Sequence, residues 1–258
     1  MPRNNSHIFY NGWTIFWLVS FSCGNAAAFT VPFMAAERVA EIQVCQNKDC
    51  CKRWQQSYPS TTLPDILRDL LEPSCFVDVK TTGCLSQCDK GPNIVFKARG
   101  KQKLVQGLDS ISLLIEALEK EFGKGIVPPK LIAACRVLGK AHEASSFDEK
   151  HRFLNSVVSV LEGEPELAQS SALARALVSR AQARYEDQHT EEALGDALRA
   201  TSMKSTSWNA LSWRMVADCY KTLGKPDEAI AALREWGSCE PAFRSKVNRE
   251  IQELRRLL

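Results

Sequence analysis

The sequence predicts an α/β domain followed by an all-α domain of helical hairpins. Between Glu41 and Gly123, short apolar strands alternate with helical stripes of apolar residues. The stretch Val127-Pro128-Pro129 then breaks the chain, and beyond it only helical periodicity is found. Proline lacks an amide hydrogen and restricts the residue before it, so we place two domains on either side of the break, at residues 41–126 and 130–258.

The first domain is predicted to contain four short strands and two helices. Strands are expected at residues 41–44, 76–79, 94–96 and 104–105, the last two joined by a turn at Gly100. Helices are expected at residues 63–71, where Pro64 suits the first turn, and from Ser110 to a stop at Gly123. This order of elements is the pattern of a thioredoxin-like α/β sandwich.

The second domain is predicted to be helical throughout. Its segments run roughly over residues 131–144, 148–161, 166–185, 190–201, 207–222, 226–236 and 241–256. Its best-patterned stretch, SWRMVADCYKTLGKPDEAIAALREWGSCEP, places Trp213, Tyr220, Gly224 and Pro241 at the Trp, Tyr, Gly and Pro positions of a tetratricopeptide repeat, which it resembles. The resemblance implies a TPR-like array with a concave surface for a peptide or a partner domain. A helical cap that only shields the first domain is the alternative.

Composition excludes two classes of protein. The chain of 258 residues is 45% hydrophobic, which excludes wholesale disorder, and its net charge of +3 is too small for a broad nucleic-acid surface. The histidines His142, His151 and His189 have no cysteine or carboxylate at a nucleophile's spacing, and no Gly-rich phosphate loop occurs. We therefore predict no catalytic residues and no stand-alone enzyme activity.

The N-terminus has the pattern of a removable targeting segment. Arg3 is the only charge before an apolar run at residues 13–22, which has the length of a signal peptide rather than of a membrane span. The string AAAFTVP at residues 26–32 resembles the Ala-Phe junction of the bipartite presequences of algae with secondary plastids. The resemblance implies a signal peptide over residues 1–28, a short transit segment over 29–40, and import to the plastid stroma. A plain secretory signal or a short buried helix is the alternative.

Cysteine spacing is the most informative feature of the first domain. Six of the ten cysteines lie between Cys45 and Cys88, and two pairs stand out where strands lead into loops: Cys45 with Cys50, spaced C-x4-C, and Cys84 with Cys88, spaced C-x3-C. Four thiolates from two loops match the stoichiometry of an all-cysteine [2Fe–2S] site. A structural zinc ion prefers C-x2-C pairs, and thioredoxin-type redox chemistry needs C-x-x-C, so both are disfavoured.

The motifs VCQNKDC and TTGCLSQCDKGPNIVF carry a resemblance to a known family. They are similar to the thioredoxin-like [2Fe–2S] ferredoxins and to the related iron–sulfur subunit of complex I, over roughly residues 41–123. The resemblance implies one-electron transfer to a redox partner protein or a membrane-associated complex. It also implies a ligand set, in which Cys51 could replace its neighbour: Cys45, Cys50, Cys84 and Cys88.

A second function fits the same sequence. The protein could be a plastid assembly or scaffold factor in which the TPR-like array binds protein partners and the cluster is structural or redox-sensing.

Four cysteines outside the predicted ligand set lie among apolar residues and are expected to be buried packing thiols: Cys75, Cys135, Cys219 and Cys239. Residues 45–105 hold ten Lys or Arg against six Asp or Glu, a surplus expected to steer acidic partners. We expect no mature transmembrane segment.

Overall fold

The computed structural model describes residues 40–58, 61–74, 76–98, 100–203 and 208–256. The signal peptide predicted at residues 1–28 lies outside these described residues, as does all but the last residue of the transit segment predicted at 29–40. Within the described ranges, no helix is both long enough and apolar enough to cross a membrane.

A four-stranded mixed sheet forms the first part of the fold, which confirms the predicted strands. The strands are β1 (Ala40–Cys45), β2 (Val77–Thr82), β3 (Ile94–Ala98) and β4 (Lys101–Val105), in the order β2-β1-β3-β4. Strand β1 is parallel to β2 and antiparallel to β3, and β3 and β4 form a hairpin. The predicted turn at Gly100 has a φ of +73°, which glycine adopts without strain.

Three helices accompany the sheet: α1 (Lys48–Ser57), α2 (Leu63–Leu71) and α3 (Ile111–Phe122). Helices α2 and α3 confirm the prediction, but α1 was not predicted. Only Cys50 and Trp54 are buried in this polar helix, so it lacks the apolar stripe by which the other helices are recognised.

The rest of the described chain is helical, as predicted. Its helices are α4 (Pro129–Glu143), α5 (Phe147–Glu162), α6 (Ser171–Glu186), α7 (Thr190–Thr201), α8 (Asn209–Thr222), α9 (Pro226–Cys239) and α10 (Arg244–Arg255), and each packs on the next along the chain from α4 to α10. Helix α6 begins at Ser171 rather than at residue 166. Turns precede it, and the Ser170 hydroxyl caps it by accepting the Leu173 N–H.

The hydrophobic core runs across the predicted domain boundary. One cluster of buried residues includes Ile42 and Phe96 of the sheet together with Leu131 and Leu177 of the helices, and Val127 within the predicted break is itself buried. A second cluster is built from residues of α6 to α10. The domain boundary stays a prediction from the sequence, but the sheet and helices α4 to α6 share a core.

A buried ion pair joins the two parts of this shared core. Asp69 of α2 and Arg175 of α6 are 0% and 2% exposed, with Oδ2 and Nε 2.9 Å apart but not aligned as a hydrogen bond. Trp208 donates its Nε1–H to Asp69 Oδ1 at 3.3 Å, and Arg175 Nη2 lies 3.6 Å from Cys135 Sγ. Burial raises the pKa of Asp69, and the guanidinium of Arg175 opposes that rise.

His142, near the end of α4, makes stability depend on pH. Burial and the positive charges of Arg175 and Lys150 lower its pKa from 6.5 to about 4. The unfolded chain therefore takes up this proton first, and the free energy of unfolding should fall by up to about 3 kcal/mol between pH 6.5 and 4. We expect His142→Gln to flatten this loss in urea unfolding at pH 7 and 4.5. The exposed control His189→Gln should keep the wild-type profile, and an equally steep loss in both variants would contradict the assignment.

Candidate functional site

Two parallel strands bring the predicted cysteine pairs to one edge of the sheet. Cys45, the last residue of β1, is in register with Thr82, the last residue of β2, and the Gln46 N–H donates to the Thr82 carbonyl at 2.9 Å. Cys84 follows two residues later. Because the carboxyl ends of parallel neighbours meet at the same edge, the segments that carry the two pairs start side by side. We call this the cysteine edge.

Cys50 faces the segment that carries Cys88. It lies in the first turn of α1 and not in the loop that was expected, and α1 packs on the 3₁₀ helix Cys88–Lys90. A Cβ atom placed on Gly91 would lie 2.5 Å from Cys50 Sγ, so the thiol occupies the space that glycine leaves open. Cys50 therefore points toward Gly91, the glycine that follows the second cysteine pair.

Because of this contact, any side chain at position 91 should displace the Cys50 thiol. We expect Gly91→Ala to displace the Cys50 thiol, because no real contact is as short as 2.5 Å, and to lower at least several-fold the iron that the cluster predicted from the sequence would hold. Iron analysis after anaerobic purification measures the effect. Gly83→Ala is the matched control, since a Cβ there meets nothing within 4 Å. Equal iron content in both variants would show that the Cys50 thiol does not need this space.

The loop after β2 presents a backbone amide to a cysteine sulfur. The Ser86 N–H donates to Cys84 Sγ at 3.3 Å, and Ser86 adopts a φ of +60° to do so. The buried side chain of Asn93 holds the same loop by donating Nδ2–H to the Gln87 carbonyl at 2.5 Å. Gln106 also binds this loop, through the Gln87 side chain at 2.8 Å. Sequence analysis missed Ser86, Asn93 and Gln106, since no local pattern marks a hydrogen bond between distant loops.

Cys51, the neighbour of Cys50 on α1, is half-buried. A recess of about 120 Å³ between α1 and the start of α2 is lined by Cys45, Cys50 and Cys51 together with Trp54. Burial and electrostatic repulsion from the neighbouring Cys45 raise the pKa of Cys51. Cys51 therefore loses its proton less readily than an ordinary thiol.

The remaining cysteines take no part in this edge. Cys135 and Cys219 are buried as expected, and burial raises their pKa values to about 11 and about 12. Cys239 is exposed at the end of α9, so its prediction as a buried packing thiol is wrong. The helix turns it outward, because Ala229, Leu233 and Trp236 form the buried stripe of α9. Cys75 lies outside the described residues.

The cysteine edge carries thiols, the kind of donor that an iron–sulfur cluster uses. Cys45, Cys50 and Cys84 lie at this edge, the Ser86 amide is aimed at the Cys84 sulfur, and Gly91 makes room for the Cys50 thiol. The backbone of Cys88 is described but its side chain is not. Among the side chains that are described, no three His, Cys, Asp or Glu residues are grouped so that they could hold a metal ion.

No protein-family model and no curated protein matches the chain.

Proposed function

We propose that the protein is a one-electron carrier whose first part is a thioredoxin-like domain holding a single [2Fe–2S] cluster. The proposed ligands are Cys45, Cys50, Cys84 and Cys88. The observation that carries the proposal is the register of β1 with β2, which brings a C-x4-C and a C-x3-C pair to one edge. When bound, the cluster would accept and release one electron at a time.

The protein's own groups would tune that site in two ways. The Ser86 N–H at 3.3 Å from Cys84 Sγ stabilises negative charge on the sulfur, which favours the reduced state. Cys45 and Cys50 are buried whereas Cys84 is exposed. An electron would therefore leave the cluster most easily on the side of the exposed Cys84, because a partner can approach the cluster most closely there.

The helical part would dock this carrier to a partner complex. The proposal that this part is TPR-like is supported by Trp213 and Tyr220, which are partly buried against the core of α6 to α10. Gly224, with a φ of +68°, ends α8, and Pro226 starts α9, as a helical hairpin requires. The proposed partner is a redox protein or a membrane-associated complex.

One observation favours the alternative of an assembly or scaffold factor. An open groove of about 720 Å³ lies between the α6–α7 turn and the end of α8, lined by Tyr185, His189, Glu192 and Thr222 among others. A groove of this size can hold a peptide. In that function the helical array would bind the protein partners, and the cluster would be structural or redox-sensing.

The proposed location is the plastid stroma. It is supported by the junction motif at residues 26–32 and by cysteines that match ligand spacings rather than disulfide pairs. A fluorescent fusion of residues 1–45 tests the location, and its secretion would contradict it.

Spectroscopy of anaerobically purified protein tests the cluster. We expect two irons and two sulfides per chain, visible absorption that bleaches with dithionite, and an EPR signal only in the reduced state. A reversible potential with fast exchange to a carrier supports electron transfer over the scaffold function, which tight binding to an unassembled subunit would support instead. A colourless protein with one zinc ion per chain would overturn the cluster.

A further inference from the structure

Four exposed cations surround the cysteine edge. Lys48, Lys52 and Arg53 lie on α1 and Lys90 lies on the neighbouring 3₁₀ helix, and we call these four residues the basic rim. None of them takes part in an ion pair within the described portion of the chain. In the sheet, Lys80, Lys97 and Lys103 are paired with glutamates, whereas the exposed Lys101 of β4 has no ion pair among the described residues. The four charges of the basic rim are exposed and can meet the carboxylates of a partner.

The stability of α1 does not explain why Lys48 and Lys52 stand where they do. Lys48 is the first residue of α1, where the helix dipole disfavours a cation, and α1 has no basic residue in its last turn, where the dipole would favour one. Lys52 follows at the i+4 position, so two like charges share one face and repel each other. Lys48 and Lys52 are therefore placed where their charges do not stabilise α1.

The rim lies directly against the proposed ligands. Arg53 Nη1 is 3.4 Å from the carbonyl oxygen of Gly91, the residue that packs on the Cys50 thiol. The exposed carboxylates in the same two helices are Asp49 and Asp89, so the four cations outnumber them. A partner drawn to this charge would arrive at the cysteine edge, beside Gly91 and Cys50.

An apolar recess opens beside the rim. The cavity of about 120 Å³ that holds three cysteines is also lined by Trp54, Leu63, Pro64 and Pro92, with Gln55 exposed beside it on α1. Transient protein interfaces combine an apolar centre with a charged margin, and a cavity of this size accepts one partner side chain.

We propose that the basic rim is the docking surface for an acidic redox protein, which inserts an apolar side chain into the recess. The proposal rests on the proposed function, because electron transfer is what makes a partner at this edge useful. The partner would carry clustered Asp and Glu side chains around an exposed redox centre.

Charge reversal tests the rim. The probes are two haem proteins of opposite charge, acidic cytochrome b5 and basic cytochrome c, each mixed in a stopped-flow instrument with the dithionite-reduced full chain. In 20 mM NaCl, Lys48→Glu with Lys52→Glu should slow transfer to cytochrome b5 at least about 10-fold and should not slow transfer to cytochrome c. The difference should shrink at 300 mM NaCl, because salt screens surface charge.

The matched control carries the same charge change elsewhere. Lys120 and Lys124 are exposed at the end of α3, where Phe122 contacts Phe76 at the edge of the sheet opposite the cysteines. Lys120→Glu with Lys124→Glu should change the rate to cytochrome b5 less than about 2-fold. Equal slowing by both double variants would overturn the rim, since only net charge would then matter.

A pair of neighbouring glutamines tests the recess. Gln55→Trp should fill it and weaken cytochrome b5 binding several-fold, whereas Gln56→Trp, which is exposed on α1 but does not line the recess, should not. Equal binding by the two variants would overturn the insertion of a partner side chain.

Two further readouts separate this inference from the proposed function. The visible spectrum reports the cluster independently, and titration with labelled cytochrome b5 measures docking even if no cluster forms. A normal spectrum with unaltered binding in the rim variant would overturn the rim alone. Binding of a single-stranded RNA more tightly than cytochrome b5, with loss in the rim variant, would identify a nucleic-acid surface and overturn the acidic-protein partner.

Discussion

Cys50→Ser should lose nearly all bound iron, whereas Cys51→Ser should keep it. Cys50 points toward Gly91 and the segment that carries Cys88, whereas the half-buried Cys51 has its Sγ 4.0 Å from Gln46 Oε1. A serine hydroxyl is a much weaker iron ligand than a thiolate, so removing one true ligand should bleach the visible spectrum or shift it strongly. Iron content, visible absorption and EPR of the anaerobically purified variants measure the difference.

The other proposed ligands extend the same test. Cys45→Ser, Cys84→Ser and Cys88→Ser should each behave like Cys50→Ser, while Cys239→Ser, an exposed cysteine far along the chain, is the control that should leave the spectrum unchanged. If Cys51→Ser lost iron and Cys50→Ser kept it, the ligand in that segment would be Cys51 and the C-x4-C spacing would not decide the site.

Asp69→Ala should strongly lower the free energy of unfolding. It would leave the guanidinium of Arg175, which is 2% exposed, as a buried charge without its carboxylate 2.9 Å away, and would remove the acceptor of the Trp208 N–H. Breaking a buried pair in this way costs about 3–5 kcal/mol, a large part of the 5–15 kcal/mol by which most domains are stable. Urea unfolding followed by circular dichroism measures the loss.

Two comparisons make this result specific to the buried pair. Glu162→Gln removes an ion pair with Arg199 whose side chains are 34% and 49% exposed, and it should cost less than about 1 kcal/mol. The double variant Asp69→Leu with Arg175→Met replaces both charges by apolar groups and should recover much of the loss. A loss below about 1 kcal/mol in Asp69→Ala would show that this contact does not hold the sheet and helices together.

The elements with a clear apolar period could be predicted from the sequence alone. All four strands, helices α2 and α3 and the seven later helices were predicted, because alternation and helical stripes are local signals. Helix α1 was missed because only Cys50 and Trp54 are buried in it, so its single turn of core contact leaves no repeating stripe. Its start is encoded instead by Asn47, whose side chain accepts the Asp49 N–H.

The candidate site, too, was predictable from the sequence only in part. The spacing of its cysteines is a sequence property, and so is the glycine that follows the second pair. The contacts that arrange them are not, since Asn93 reaches the loop at Gln87, Arg53 reaches Gly91 over 38 positions, and neither contact leaves a local pattern. The exposure of Cys239 also escaped prediction, because its apolar sequence neighbours belong to the other face of α9.

By itself, then, the sequence determined which segments are strands and helices and which cysteines stand at the spacings of a ligand pair, because both depend on residues a few positions apart. Only the tertiary structure decided that β1 and β2 lie parallel in register, that Cys50 points toward Gly91, and that Asp69 meets Arg175 inside a core shared by sheet and helices. These contacts depend on how the whole chain packs to bury its apolar faces, and the free energy of that packing is a property of no single segment.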